Sequence, residues 1–536
     1  MHRRKGKTKS AVNLVSVTAG LRGIGHLLLI FAAFLLFFPW FVDASQMYLH
    51  LYNSDVVQPF LLLADMFEDM SAVLTWYHSP SLYVFPDWVL SGILVAMDWP
   101  GKTLPLFYAC LMFTLYAFTG GYSLSVVTGI SQPVTAWLIA ILLILGGQLV
   151  LLSDIPRISA YIYVIMGAPF IHTGALLISL WAPGLFLRSL QAANAGTPLV
   201  LLLGIVFLGT FSDLMLGVWF VLPAIMTGGL YYWAVRESRT LCVTLGLGLA
   251  AIAGFLIESN LHTVREKYLA ANVHTATESL PWLAVHTDMG LTDGDYPALL
   301  VLGFSLVLLL RGAFLLQRLI RLRNLSQRQL LEMLLAGMLA AGVLAPVVTG
   351  MLASFSTLRY WMIAYLLVPL WVMILTLQWL QDAGVLGRRY LRVTWYSIAV
   401  LGLAFYLFLF MPRAVAIWKR MTVDHSLVSC LKREGVDAGF ADYWNAKFLM
   451  LLSNGSVHMV QIQSDGSPWR WNTNEAWLYK RTDIAAVPEF HFILPQNLDQ
   501  TMLTKTYGVP TKIVLCDGQA VWVYDRTISW RSYKWG

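Results

Sequence analysis

Residues 24–42 read IGHLLLIFAAFLLFFPWFV, an apolar run close to the length that a helix needs to cross a bilayer. A basic segment, MHRRKGKTK at residues 1–9, precedes this run. The run ends in Trp40-Phe41-Val42 and is followed by Asp43, which is not the small-residue pattern of a signal-peptide cleavage site. We therefore expect an uncleaved first membrane span, with its basic end in the cytoplasm.

The rest of the chain has the same apolar character. Of its 536 residues, 58% are apolar and only 12% are charged, and the mean hydropathy is +0.66. A soluble domain usually has about twice that charged fraction. Similar apolar runs recur, and they predict about eleven spans, near residues 24–42, 104–124, 133–152, 160–183, 198–212, 214–235, 240–258, 297–316, 330–352, 361–380 and 394–411.

The basic residues between these runs predict an orientation. If the spans alternate from a cytoplasmic N-terminus, the densest arginine clusters fall on the cytoplasmic side, as the positive-inside rule requires. These clusters are Arg236 with Arg239, the arginines of residues 318–328, and those of residues 388–392. An odd number of spans then places the tail outside the cytoplasm, and a bacterial cytoplasmic membrane is the expected location.

Two of the predicted outer segments are long. Residues 43–103 contain two stretches, 56–70 and 85–97, that are too short to span but resemble amphipathic helices lying on a membrane surface. Residues 259–296 are polar and contain several histidines, and we expect a loop over the outer face.

The tail after residue 411 is different in kind. Alternating runs at residues 456–463 and 513–524 are separated by turn signals, which predicts a small α/β domain. The expected fold is thus mainly α: a polytopic helical membrane bundle over residues 1–411 and an extracytoplasmic α/β domain over residues 412–536. Cys430 and Cys516 fall in this domain, where they form either a disulfide or two unpaired thiols.

Several function classes lack their signals. No basic patch with interleaved aromatic residues lies outside the ends of the apolar runs, so a nucleic-acid partner is not expected. There is no dinucleotide-binding or P-loop glycine motif, and no CxxC or histidine-rich metal-binding spacing.

Four ionisable residues fall on the outer face under this orientation: Asp55, Asp154, Asp213 and Arg359. A charge within or beside a span is costly and is often functional. The structural alternative is that each Ser-Asp pair caps a helix and that the arginine anchors a span at the interface. His172, within the run 160–183, is more simply a buried histidine bonded to a neighbouring helix.

The order of these features resembles the GT-C superfamily of polytopic glycosyltransferases, which use polyprenyl-phosphate-linked sugars. Asp55 stands near the start of the first outer loop, and Phe85-Pro86-Asp87-Trp88 leads toward the second span. Arg359-Tyr360 resembles an Arg-Tyr pair in members of the dolichyl-phosphate-mannose-protein mannosyltransferase type. In the tail, residues 439–446, 452–455 and 507–510 resemble bacterial membrane proteins of this kind. The loop lacks the paired acidic residues of many members.

The resemblance implies transfer of a sugar, with inversion, from a polyprenyl-phosphate donor to an extracytoplasmic glycan, lipid or protein. It implies that Asp55 is the general base, because an outward-facing carboxylate has that role in the family. Arg359 is the first choice for binding the lipid phosphate, with Arg265 and Lys267 as further choices, since arginine binds phosphate with two parallel hydrogen bonds.

Other roles also follow from the resemblance. Asp154, Asp213 and His78 would orient the acceptor, and Asp55 and Asp213 would be the ligands if a divalent cation such as Mg²⁺ or Mn²⁺ takes part. Two alternative functions remain at this stage. One is a polysaccharide polymerase or ligase that uses a lipid-linked glycan, and the other is a multi-span transporter.

Overall fold

A computed structural model describes residues 7–79, 81–152, 157–191, 196–261, 295–349, 355–384, 411–420, 425–480 and 487–529, with residues 402, 404 and 408 as isolated positions. Over this part the chain is mainly helical, with a small sheet near its C-terminus. The first helix, α1 (Lys7–Ala44), contains the apolar run that follows the basic N-terminus.

Nine helices within the described residues are long and apolar enough to cross a membrane. They cover Gly23–Ala44, Gly101–Thr128, Gln132–Leu151, Thr173–Gln191, Gly217–Val235, Ser238–Asn260, Tyr296–Leu322, Gln327–Val348 and Thr357–Asp382. Many present apolar side chains outward, such as Leu306 and Leu310, which are 59% and 63% exposed. Since lipid is the solvent in which such a surface is stable, the chain is an integral membrane protein.

These spans are built from the longer helices of the chain. After α1 and the first outer loop, they are α5 (Leu104–Thr128), α6 (Gln132–Leu151), α8 (Thr173–Gln191), α10 (Leu222–Val235), α11 (Ser238–Leu261), α12 (Tyr296–Leu322), α13 (Gln327–Val348) and α14 (Met362–Asp382). A short π-helical turn, Gly217–Val221, leads into α10, and a 3₁₀ segment, Phe355–Trp361, leads into α14.

The predicted span at 160–183 is wrong in its bounds. The chain forms a short helix, α7 (Arg157–Ile165), leaves helical geometry over residues 166–172, and begins α8 at Thr173. The break contains Gly167 and Pro169, and Pro169 lacks an amide hydrogen and disfavours helix at the residue before it. Hydropathy does not register this interruption, because the break itself is apolar.

Two other predicted spans have different outcomes. Residues 198–212 form α9 (Gly196–Ser212), an apolar helix of 17 residues that is shorter than the nine candidate spans. The run 394–411 lies almost wholly outside the described residues.

The segment between α1 and α5, predicted to be the first outer loop, contains the two predicted helices. It folds as α2 (Tyr48–Leu51), α3 (Ser54–Glu68), a 3₁₀ turn (Met70–Leu74), a π-helical turn (Val84–Trp88) and α4 (Val89–Ala96). Asn53 caps α3, because its side chain accepts hydrogen bonds from the first amides of the helix. Phe67, Leu74 and Ile93 are exposed, as an interfacial helix requires.

The C-terminal domain is the predicted small α/β unit. Its elements are α15 (Ser426–Arg433), β1 (Ala438–Ala441), α16 (Tyr443–Leu452), β2 (His458–Gln461), β3 (Phe490–Ile493), α17 (Gln500–Tyr507), β4 (Lys512–Cys516) and β5 (Gln519–Ile528). The strand order is β2-β1-β3-β5-β4, with β1 parallel to both neighbours and β5 antiparallel to both of its own. Cys430 and Cys516 form a disulfide, so the first of the two alternatives holds.

This domain is docked on the first outer loop. Ser54 donates a hydrogen bond to the carbonyl of Tyr443, and the side chain of Asn454 accepts one from the amide of Gly101 at 2.7 Å. A Cβ at Gly101 would lie 2.4 Å from the carbonyl oxygen of Leu451, so only glycine allows this approach. The two parts of the chain therefore share one packed interface, which includes Asp55 and Tyr443.

Candidate functional site

Asp55 lies in the first turn of α3, at the interface with the C-terminal domain. Its backbone amide donates to Asn53 Oδ1 at 3.0 Å, which fixes the start of the helix. Its half-buried carboxylate accepts a hydrogen bond from the hydroxyl of Tyr443, and Asn472 Nδ2 lies 3.5 Å from the same oxygen. Sequence reasoning placed Asp55 in an outer loop and had no means of finding these two contacts.

Lys447 lies one helical turn after Tyr443 in α16 and was not predicted. Its side chain is fully buried, and its Nζ atom is 4.1 Å from the centre of the Tyr443 ring. Nζ has no hydrogen-bond partner among the described residues. Burial lowers the pKa of Lys447 to about 7, although the nearby charge of Asp55 acts in the opposite direction. The sequence signal that could have identified Lys447 is a single lysine within the otherwise largely apolar helix YWNAKFLMLL.

Arg359 stands in the 3₁₀ segment before α14. Its guanidinium is 5.5 Å from the centre of the Tyr360 ring, and its Nε atom is buried without a hydrogen-bond partner in the described part of the chain. Asp55, Tyr83 and Tyr161 are all close enough to interact with it electrostatically. The structure therefore brings together Asp55 and Arg359, which the sequence assigned as base and phosphate ligand.

A second group of side chains surrounds His172. Its Nδ1 atom lies 2.9 and 3.0 Å from the two carboxylate oxygens of Asp213. Asp213 follows the end of α9 and also accepts a hydrogen bond from the amide of Met215 at 3.0 Å. His172 is thus a buried histidine bonded to a neighbouring element, as expected. It lies in the break before α8 rather than within a span, and its partner is a carboxylate.

Aromatic rings enclose this pair. The ring centres of Tyr83 and Tyr360 lie 5.6 and 5.4 Å from that of His172, and Trp219 lies 6.1 Å away. Tyr83 also stacks on Phe170 at 5.1 Å. We call His172, Asp213, Tyr83 and Tyr360 the His172 cluster. Its members come from four separate segments, so only the tertiary structure could assemble it.

The backbone is unusual at the same place. Tyr83, Phe170 and His172 have φ angles of 53°, 60° and 64°, in the left-handed region that side chains other than glycine rarely adopt. The ring of Tyr83 contacts the rings of both Phe170 and His172. Such conformations cost of order 1–3 kcal/mol each and tend to gather at functional sites.

Asp87 binds residues of the chain that flank His172. One of its carboxylate oxygens accepts hydrogen bonds from the Tyr108 hydroxyl at 2.7 Å, the Thr173 hydroxyl at 3.1 Å and the amide of Phe170 at 3.2 Å. Its other oxygen is buried with no hydrogen-bond partner among the described residues. Burial raises the pKa of Asp87 to about 6, despite these hydrogen bonds. Asp87 thereby fastens the first outer loop to the break before α8.

Arg359 connects the two groups of residues. Tyr161 interacts electrostatically with both Asp55 and Arg359, and Tyr83 interacts with both Asp213 and Arg359. Three of the four ionisable residues predicted to share one face are therefore part of one site.

Four predicted residues remain, and the structure describes only His78 among them. Asp154, Arg265 and Lys267 lie outside the described residues. His78 remains within the first loop, where one ring nitrogen lies 3.1 Å from the carbonyl oxygen of Val73 and the ring lies 6.1 Å from Trp88. Burial lowers the pKa of His78.

The proposed ligands of a divalent cation, Asp55 and Asp213, are both among the described residues. Within them, no group of three or more His, Cys, Asp or Glu side chains is arranged to hold a metal ion. The Asp213 carboxylate is occupied by His172 and an amide, and Asp55 is occupied by Tyr443.

Comparison with known protein families, with curated proteins and with solved structures finds no match for this chain. Its function is therefore argued from the geometry of the site.

Proposed function

We propose that this chain is a membrane glycosyltransferase of the GT-C type, which moves a sugar from a polyprenyl-phosphate donor to an extracytoplasmic acceptor. One observation carries the proposal. The Asp55 carboxylate, in the first turn of α3, and the Arg359 guanidinium, before α14, are far apart in sequence but near enough to interact electrostatically. A base for an acceptor hydroxyl and a cation for a lipid phosphate are the two groups that this reaction needs.

In the proposed reaction, Asp55 accepts the proton of the acceptor hydroxyl as the acceptor oxygen bonds to the anomeric carbon. The bond from that carbon to the phosphate oxygen breaks, and its electron pair leaves with the lipid phosphate. Arg359 stabilises the charge that develops on this phosphate, and its unpaired Nε–H supports that role. Attack from the face opposite to the leaving group inverts the anomeric configuration.

The C-terminal domain contributes to the same site. Tyr443 donates to the carboxylate of Asp55, and Asn472 lies beside it, so the proposed base is oriented by residues of the tail. An outer location of this domain agrees with its disulfide and with the distribution of arginines. We propose that the domain completes the acceptor side of the site.

The proposal is tested by exchanging Asp55 for Asn in the full chain. Membranes that contain the D55N variant would be incubated with radiolabelled polyprenyl-phosphate sugars, and the label transferred to glycan, lipid and protein would be measured. Loss of the general base is expected to reduce transfer by about 10²- to 10⁴-fold. R359Q is expected to reduce transfer as well, because it removes the guanidinium that is proposed to bind the lipid phosphate.

A matched control is D69N, which removes an exposed carboxylate from the same loop while retaining a side chain that can cap the following turn. D69N should transfer sugar at the rate of the unaltered chain. Full transfer by D55N, at equal protein levels, would refute Asp55 as the base, and no transfer from any lipid-linked sugar by the unaltered chain would refute the proposed function.

A further inference from the structure

The His172 cluster has features that its packing does not require. His172 donates its Nδ1–H to the Asp213 carboxylate. The other ring nitrogen, Nε2, makes no hydrogen bond within the described residues. An imidazole that is oriented by a carboxylate in this way presents its second nitrogen in a fixed direction. A hydroxyl group suits that nitrogen in either protonation state, because it can both donate and accept a hydrogen bond.

Two residues next to the cluster also carry buried polar atoms without a hydrogen-bond partner among the described residues. Trp219, whose ring lies 6.1 Å from that of His172, is fully buried, and its Nε1–H has no partner among the described residues. The same holds for the second carboxylate oxygen of Asp87, a residue that binds the neighbouring backbone of Phe170. Unpaired buried polar atoms are uncommon, and several in one place indicate a polar ligand.

The cluster also offers flat apolar surfaces. The rings of Tyr83 and Tyr360 flank the imidazole at 5.6 and 5.4 Å. The C–H faces of sugar rings pack on aromatic rings, while their hydroxyls bind carboxylates, imidazoles and indole N–H groups. The four cluster residues are buried, with 3% to 7% of their surfaces exposed.

The position of the cluster indicates whether it would bind the sugar of the donor or a sugar of the acceptor. Tyr360 adjoins Arg359, whose guanidinium lies over its ring, and Tyr83 interacts electrostatically with Arg359. Asp87, which binds Tyr108, interacts electrostatically with Asp213, while Asp55 and Tyr161 interact with Arg359. A sugar in the cluster would therefore be attached to a phosphate at Arg359, as in a donor, rather than belong to an acceptor glycan beside Asp55.

We propose that the His172 cluster is a monosaccharide subsite that binds the sugar of a lipid-phosphate donor, whose phosphate lies against Arg359. This inference rests on the proposed function and deepens it. His172 and Asp213 would select the hydroxyl pattern of the sugar, and the two tyrosine rings would pack on its faces.

The test uses the full chain in nanodiscs and short-chain probes. Farnesyl phosphate is compared with farnesyl phosphates that carry mannose, glucose, galactose or arabinose, and farnesol measures binding without a phosphate. The unaltered chain is expected to bind at least one sugar-bearing probe more tightly than farnesyl phosphate. H172A and D213N are expected to reduce that preference about tenfold, the loss of roughly one buried hydrogen bond. R359Q should weaken both kinds of probe and leave their ratio unchanged.

Each outcome decides the matter. An unchanged preference in both H172A and D213N overturns the subsite, and so does equal binding of all phosphates by the unaltered chain. Binding of every phosphate probe no better than farnesol would refute the proposed function itself, and the subsite with it. Free monosaccharides or glycans that compete in the absence of phosphate would reassign the cluster to the acceptor. Thermal unfolding of each variant is the control for folding. H172Q is included because glutamine is closer to histidine in size than alanine is.

Discussion

Asp65 shows how one carboxylate joins two parts of the chain. It lies in α3, is 7% exposed, and accepts hydrogen bonds on one oxygen from Asn474 at 2.6 Å, Trp76 at 2.9 Å and Trp477 at 3.0 Å. Two of these donors belong to the C-terminal domain. Burial nevertheless outweighs the hydrogen bonds and raises the pKa of Asp65 to about 6, from an ordinary value of 3.8.

The raised pKa predicts a pH dependence of stability. A carboxyl group whose pKa is higher in the folded state adds stability below its unfolded pKa of 3.8, and this contribution is lost as the pH rises through about 6. This difference in pKa corresponds to a free energy of about 3 kcal/mol. We expect D65N to remove this part of the slope between pH 4 and 7. Thermal unfolding of the purified chain across that range measures it.

The exposed Asp69, four residues further along the loop, provides the control, since D69N should keep the slope of the unaltered chain. An identical slope in D65N would show that Asp65 does not titrate in this range. D65A, in contrast, leaves three donors without an acceptor and should destabilise the docked domain at every pH.

At the scale of elements, the ends of helices decide where the site lies. The break between α7 and α8, the end of α9 and the 3₁₀ segment before α14 supply His172, Asp213 and Arg359. Each is a place where regular helix stops, so backbone groups and polar side chains are available for other contacts. Irregular backbone of this kind is tolerated in a membrane protein where it is buried in protein or lines a cavity.

The disulfide is the other determinant at this scale. It joins α15 to the end of β4 across 86 residues, and these elements have no other covalent link nearby. A cross-link over a loop of this length stabilises a domain by about 4–5 kcal/mol, mainly by restricting the unfolded chain. We expect the double variant C430S/C516S to unfold the C-terminal domain at a lower urea concentration. Pulse proteolysis across a urea series measures this unfolding midpoint.

Cys242, which is exposed and unpaired, supplies a control, because C242S removes a thiol without removing a cross-link. C242S should retain the original midpoint. A double variant with the same midpoint as the unaltered chain would mean that the bridge adds no stability to this domain.

At the scale of the whole molecule, one contact shows that two arginine-containing helix ends lie close together. The guanidinium of Arg323, after α12, lies 5.6 Å from the ring of Trp233, near the end of α10. Two of the arginine-rich segments therefore lie at the same end of the bundle. The alternating topology predicts that Asp55, Asp213 and Arg359 lie at the opposite membrane face.

Fusions test this orientation directly. A green fluorescent protein placed after residue 384 should fluoresce, because this position is predicted to be cytoplasmic. Alkaline phosphatase placed after residue 529 should be active, because the tail is predicted to be outside. The two fusions bracket the predicted span at 394–411. A fluorescent fusion at residue 384 together with an inactive phosphatase at residue 529 would refute that span and the outer location of the tail.

The sequence by itself determined the kind of molecule. Apolar runs of span length and the rarity of charge require a helical membrane protein, since no water-soluble core could bury so much apolar surface. Alternation and turn signals after residue 411 were sufficient to predict a separate α/β domain, because these patterns are local. The two helices of the first loop were predictable for the same reason.

Only the tertiary structure decided which residues share a site. The pairing of His172 with Asp213, the contact of Tyr443 with Asp55, and the burial of Lys447 join segments that are far apart in sequence. Hydropathy also missed the break before α8, because its residues are as apolar as the helices around it. Periodicity reports which face of an element is buried, but not which other element covers it, and that is determined by packing of the whole chain.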